Sequence, residues 1–218
     1  MPAPMLAAAD VSALHDRLLA TAGWPEAEPA PADDGLWRWV QTNHRFNCRL
    51  WAEEDLARRT TVADTEIAKN KRAIDGFNQA RNDATERVDE VLLVALGLVD
   101  AASARTDAPL STVPAGARLN SETAGSMVDR MSIMALKIHA MHAQTQRQDV
   151  AEEHRAASRV KLERLQQQRG DLGNCLDALL VDAVAGRAYF KVYRQFKMYN
   201  DARFNPELVK EQQRGAAR

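Results

Sequence analysis

At 218 residues the chain is long enough for one large domain or two small ones, and a core of that size needs no disulfide or metal staple. It is 45% hydrophobic and 27% charged with a net charge of −1, which argues against a broad nucleic-acid or anionic-membrane surface and leaves room only for a local basic pocket. Cys48 and Cys175 stand in no metal-ligand spacing and read as reduced thiols. The first residues, MPAPMLAAADVSALHDRLLA, lack a basic n-region and meet His15 and Asp16 too early for a signal peptide. No apolar run approaches the roughly 20 residues of a membrane span, so the expectation is a cytoplasmic chain with no nucleic-acid partner and no membrane insertion.

In chain order, residues 8–21 predict a short amphipathic helix. TAGWPEAEPAPADDG (21–35) follows, with three prolines and four acids, and reads as a linker or strap. Residues 1–35 are thus set apart from a helical-bundle domain over 36–208, with 209–218 as a disordered tail. Helical periodicity runs from Leu36 to about Thr60. Asp64 predicts an N-cap for a second helix reaching about Ala102, and 103–120 reads as a loop. A third helical region starts near Ser121 and runs to about Gln168, its charged second half predicting a solvated extension. RGDLG (169–173) predicts a break, followed by helices over 172–184 and about 187–199. Strand signals are scarce. The fold class is therefore all-α, a single-domain bundle of four or five main helices with a long charged helix.

Two helices carry ordered polar faces. His44, Asn47, Trp51, Asp55 and Arg58 fall at steps of 3, 4, 4 and 3, with Glu54 beside them. On the next helix Lys71, Asp75, Asn78, Asn82, Glu86 and Asp89 lie within a sector of about 80°, apart from the apolar stripe through Ile74, Val88 and Leu92. The bland account is two solvated faces with i,i+4 pairs such as Lys71–Asp75. Two asparagines, a histidine and a tryptophan are poor material for such a face, because asparagine is a weak helix former. If the faces meet, they make a half-buried polar network that must be well satisfied. On the third helix the Met127, Met131, Met134, Met141 spacing reads as core, with Asp129, Arg130, Ser132 and Lys137 beside it and Gly125 allowing a close approach.

The last segment, YRQFKMYND (193–201), packs Tyr193, Arg194, Lys197, Tyr199, Asn200 and Asp201 together. It predicts either a docked C-terminal helix whose cations complement its dipole or one wall of a cleft.

LWAEEDLAR (50–58), IAKNKRAIDGFNQARND (67–83), ETAGSMVDRMSIMALKIHAM (122–141), DLGNCLDALL (171–180) and YRQFKMYNDARFNPEL (193–208) together resemble a bacterial family of helical proteins, domain-of-unknown-function family 4254. The resemblance covers roughly 36–208. It implies a setting beside the glycosyltransferases of envelope polysaccharide assembly and carries over no catalytic residue. Ala124 departs mildly from the proline frequent there in the family.

Three functions fit these residues. The first is a cleft for an anionic, hydroxyl-rich molecule such as a sugar phosphate or nucleotide sugar. There Arg58, Lys71, Arg130, Lys137, Arg194 and Lys197 offer cations, and Asn47, Asn78, Asn82 and Asn200 offer paired donors and acceptors. Trp51, Tyr193 and Tyr199 offer ring faces, while His44, Asp129 and Asp201 complete the ligand contacts; Asp55, Asp75 and Glu86 are the candidate catalytic acids. The second is a Mg²⁺-dependent all-α nucleotide phosphohydrolase with Glu54, Asp55, Glu86 and Asp89 as metal ligands. The third is a non-enzymatic helical partner of a glycosyltransferase. A homodimer is compatible with all three. A Cys48–His44 nucleophile pair is the weakest reading, and no Gly-rich phosphate loop is present.

Overall fold

Periodicity alone marks where the apolar faces fall, and the helices turn those faces onto one core. The structure is a computed structural model that describes residues 6–27, 30, 35–196, 198 and 201–216. Its helices are α1 (Ala8–Leu19), α2 (Leu36–Leu56), α3 (Asp64–Ala95), α4 (Ala124–Thr145), α5 (Glu152–Val184) and α6 (Pro206–Ala216), with two-residue strands β1 (Arg118–Leu119) and β2 (Ala188–Tyr189). The all-α bundle expected from the sequence is what forms.

The bundle is built from two helical hairpins. Contacts between Asn43 and Thr85 and between Glu53 and Asn70 run α2 antiparallel to α3. In the same way α4 packs along α5, with Gln144 near His154 and Met131 near Gly173. α1 does not stand apart from the bundle. Its Leu14 and Leu18, with Val11, are buried in the same core as Val88, Leu93, Met127, Met131 and Leu176, and Asp177 and Arg169 of α5 bind the Ala8 N–H and Asp16. No described helix is long and apolar enough to cross a membrane.

Four boundaries differ from the sequence expectation. Ala63 is the cap of α3 and Asp64 is its first helical residue, contributing as an acid in the first turn. The charged stretch is not one helix to Gln168: it breaks at 146–151, where the Arg155 guanidinium binds the Arg147 and Val150 carbonyls. RGDLG is no break, because α5 runs through it. Gly173 lets α1 approach, its missing Cβ position lying 3.1 Å from Ala8 Cβ. The expected solvated half does exist, since only Ser158 is buried between Glu152 and Asp171.

The fourth difference lies after α5. Where a helix was expected over 187–199, residues 188–196 are extended chain. Gly186, at φ +69°, ends α5 in a conformation glycine tolerates. Ala188 and Tyr189 then pair in parallel with Arg118 and Leu119, and Phe190 is buried in the core. The segment Lys191–Phe196 continues as a strap along α3. Beyond it, residues 206–216 form α6 where a disordered tail was expected over 209–218; the Asn205 carboxamide oxygen accepts from the Glu207 N–H at its start.

Candidate functional site

The polar faces of α2 and α3 do meet, and α4 closes the third side. Asn43 and Asn47, one turn apart on α2, both point Nδ2 at Asp129 Oδ1 of α4, each at 2.8 Å. Asn47 Nδ2 also lies 3.0 Å from Ser132 Oγ, and Asn43 Nδ2 donates to Thr85 Oγ1 on α3. Ser132 Oγ in turn sits 2.7 Å from His44 Nδ1. These groups are nearly all buried, and their mutual bonds remove the cost of burying them.

Above this floor lies a cleft of about 320 Å³. Asn47, Leu50, Trp51, Glu54 and Asp55 line it from α2 and Arg58 from the turn after it, Asn78 and Arg81 from α3, and Ile133 and Leu136 from α4. Six of the sequence-predicted residues therefore line one cavity, and His44 and Asp129 support its floor. Arg58, just past the end of α2, is tied to Glu54 at 2.7 Å. Arg81 is differently placed. Its Nε is buried without a hydrogen-bond partner, 3.9 Å from Asp129 Oδ1, and only its Nη2 is engaged among the described residues, by Asn82 Oδ1.

The remaining predicted residues lie elsewhere. Arg194 does not face the cleft. Its Nη1 donates to Glu86 Oε2 at 2.7 Å and to Glu90 Oε1 at 2.5 Å. Its Nη2 donates to the Ala104 and Thr106 carbonyls and its Nε to Thr106. Arginine has five N–H donors in a rigid fork, and this set of bonds occupies that capacity, so Arg194 clamps the strap and has no donor left for a ligand anion. Glu86 is taken up by the same clamp. Asn82 binds Gln195 of the strap at 2.9 Å. Arg130 and Lys137 line a separate groove of about 620 Å³ between α4 and α5, where Arg130 pairs with Glu122. Lys71 and Asp75 are exposed on α3 outside the cleft, Tyr193 is exposed on the strap, and Asp201 pairs with Arg203. Lys197, Tyr199 and Asn200 lie outside the described residues.

The metal quartet is likewise divided. Glu54 and Asp55 are at the cleft, Glu86 is at the Arg194 clamp, and Asp89 is buried under the start of α4. Among the described residues no cluster of three or more metal-ligand side chains forms. Asp89 Oδ1 accepts from the Gly125 N–H at 2.6 Å. Burial pushes its carboxyl up to about 7, against the opposing pull of the Thr123 and Gly125 bonds. A Cβ at position 125 would lie 2.5 Å from the Thr85 carbonyl oxygen, so the expected close approach at Gly125 is between helices.

The Cys48–His44 pair is also decided by its surroundings. Sγ and Nε2 are 3.8 Å apart, but burial raises the thiol to about 11 and lowers the imidazole to about 3. That is the reverse of an activated thiolate beside an imidazolium. Trp24 Nε1 points at the sulfur from 3.2 Å, and His15 stacks on His44 at 4.4 Å between ring centroids.

Arg81, Asn43, Thr85 and His15 were not singled out from the sequence. Asn43 precedes Asn47 by one turn and Arg81 follows Asn78 by three residues, so spacing would have found both. His15 gave no signal, since its partner is on another helix.

A family model described as protein of unknown function, DUF4254, matches residues 37–192. The chain belongs to this family. Every residue lining the cleft falls inside the DUF4254 match, whereas His15 and Arg194 fall outside it. The match ends at residue 192, short of the expected 208, so YRQFKMYND is not part of what defines DUF4254 here. No curated protein and no solved structure matches the chain.

Proposed function

We propose that the cleft between α2, α3 and α4 binds an anionic, hydroxyl-rich small molecule, a sugar phosphate or nucleotide sugar, in polysaccharide or glycoconjugate biosynthesis. The observation that carries this is the convergence of Asn47, Trp51, Asn78 and Arg81 on one cavity of about 320 Å³. That volume lies at the lower end of small-molecule sites and suits a monosaccharide phosphate enclosed whole, or the sugar end of a nucleotide sugar. Asparagine carboxamides donate and accept, which matches hydroxyl groups. The indole of Trp51 offers a ring face, and Arg81 supplies a guanidinium whose Nε has no hydrogen-bond partner. The biosynthetic setting rests on the family resemblance alone.

If the bound molecule is processed, Asp55 is the candidate acid or base, since Asp75 and Glu86 do not line the cleft. The test is a thermal-shift and calorimetric screen of sugar phosphates, nucleotide sugars and free nucleotides, each with and without Mg²⁺. A ligand selective for the native state raises Tm by mass action. The expected result is a shift from the first two classes that is lost in Asn78→Ala. A shift only from free nucleotides with Mg²⁺ would favour the phosphohydrolase.

One observation favours the protein-partner reading as a second role. Tyr193 and Phe196 on the strap, with Met198 and Phe204 between it and α6, are 49–71% exposed. A helical partner would cover them without using the cleft. Phe196→Ser with Phe204→Ser should then abolish the cellular function while small-molecule binding stays unchanged.

A further inference from the structure

On the reading just given, that the cleft holds a hydroxylated phosphate ligand, we infer that this ligand carries a cationic amine as well as its anion: an aminosugar phosphate or a similar amino phosphate.

The argument is a charge census of the cavity. Three carboxylates, Glu54, Asp55 and Asp129, stand against two guanidiniums, Arg58 and Arg81, at the cleft and its floor. Glu54 and Arg58 neutralise each other at the end of α2. Asp129 receives both asparagine amides on Oδ1, and Arg81 Nε remains 3.9 Å away, beyond hydrogen-bond reach. Two charged groups are therefore incompletely answered by the protein. Arg81, at the floor, has a buried Nε with no acceptor. Asp55, at the rim, has no ion-pair or hydrogen-bond partner among the described residues.

A ligand bearing only negative charge would answer Arg81 and bring its charge toward Asp55, which opposes binding. A neutral sugar would leave Arg81 unanswered. A molecule with an anion at one end and an ammonium at the other satisfies both groups, and its phosphate can use the guanidinium fork. Between the two charges, Leu50, Ile133 and Leu136 provide an apolar wall for the C–H face of a sugar ring, with Asn78 beside it for hydroxyls. The arrangement is one of discrimination: the rim carboxylate selects against an otherwise identical ligand that has a hydroxyl in place of the amine.

The experiment is calorimetric titration of the full chain with glucosamine 6-phosphate, glucose 6-phosphate and glucosamine. The first two differ only in amine against hydroxyl. Wild type should prefer glucosamine 6-phosphate by about fivefold, the scale of a half-solvated ion pair. Asp55→Asn should abolish that preference by weakening the amino ligand alone. Arg81→Gln should weaken both phosphates by roughly tenfold or more and leave glucosamine little changed. Both variants should keep the wild-type Tm in the absence of ligand, which separates loss of binding from loss of fold. Glucose 6-phosphate binding as tightly as its amino counterpart would overturn the inference while leaving the cleft reading intact. A preference that survives Asp55→Asn would overturn the role of the rim carboxylate. Failure of all three compounds to bind would remove the sugar-phosphate reading and this inference with it.

Discussion

Arg81 and Arg194 sit on opposite sides of the same helix-bundle problem. Both lie against α3 and both are mostly buried, with side chains 24% and 11% exposed. Arg194 has acceptors for every N–H it can offer, from two carboxylates and two carbonyls. Arg81 has one side-chain acceptor for Nη2 and a carboxylate just out of reach. The first pattern is what a structural fastener requires, because a buried donor without a partner is costly. The second leaves capacity facing a cavity. Charge and burial alone do not separate a fastener from a receptor; the count of satisfied donors does.

The sharpest way to break this comparison is to remove Arg194. Arg194→Ala would leave Glu86 and Glu90 next to each other, with only Arg87 still paired to Glu90, and would free the strap from α3 and from the Ala104–Thr106 carbonyls. Losing one partner of a mostly buried ion cluster costs roughly 3 kcal/mol. For a chain of this length that lowers Tm by roughly 6–12 °C, measured by differential scanning calorimetry. Arg194→Lys should recover little of it, since an ammonium cannot reproduce the fork. A Tm within 2 °C of wild type in Arg194→Ala would remove the distinction between the two arginines.

How much of this could be read in the chain follows from whether the causes are local. The polar faces of α2 and α3 were legible because a 3.6-residue period fixes which side chains share a side, and six cleft residues came from that period alone. The strap was not legible. Tyr193 and Arg194 look helical by composition, but their backbone is set by Arg118, Leu119, Glu86 and Glu90, residues more than 65 positions away. RGDLG misled for a related reason: a glycine inside a helix costs only about 1 kcal/mol against alanine, and Gly173 meets Ala8 of α1. Arg81 was overlooked because an arginine on a charged face ordinarily reads as solvated, and only Asp129 on another helix shows otherwise.

A second pair of regions sharpens the contrast through pH. His15 and His44 are buried and stacked, and burial drives both below the usual imidazole range, His44 to about 3. Their stabilising contribution is full above the unfolded value near 6.5 and declines as pH falls below it. At pH 5 the loss from His44 alone is roughly 2 kcal/mol. Asp89 has the opposite sign. Its folded value, raised to about 7, means its contribution is full below an unfolded value near 3.9 and is lost as pH rises toward 7. The effects oppose each other between pH 5 and 7, and with two histidines against one carboxyl wild-type Tm should fall modestly from pH 7 to pH 5. Asp89→Asn keeps an oxygen to accept the Gly125 N–H and removes the acid, so its Tm should fall more steeply than wild type from pH 7 to pH 5. His44→Gln leaves His15 alone against Asp89, so its Tm should fall less steeply than wild type. Parallel curves for all three proteins would mean these groups do not govern the profile.

Between those effects in size stands Gly125. An alanine there would place its Cβ 2.5 Å from the Thr85 carbonyl and 2.9 Å from Asp89 Cγ. The helices must then separate at the point where α4 begins. Overpacking of this kind costs roughly 1–3 kcal/mol, so Gly125→Ala should lower Tm by roughly 2–12 °C. Gly76, with nothing within 4 Å of its Cβ position, is the control: Gly76→Ala should be neutral or raise Tm slightly, because alanine is the better helix former.

The smallest expected effect is the one that completes the comparison. Arg81→Gln deletes a positive charge from the interior, yet it should change the ligand-free Tm by no more than about 2 °C, the shift expected from well under 1 kcal/mol. Asp129 keeps both asparagine amides, so its carboxylate is not stranded. Thr85 still bonds the carbonyl of residue 81, which the substitution leaves in place. The buried Nε that had no partner disappears, which removes a cost and offsets the lost attraction to Asp129. A fall comparable to that of Arg194→Ala would mean that Arg81 is held by the protein after all and that its open donors do not mark a receptor. A Tm near wild type, with phosphate binding weakened, would place Arg81 on α3 and Arg194 on the strap against it in different roles.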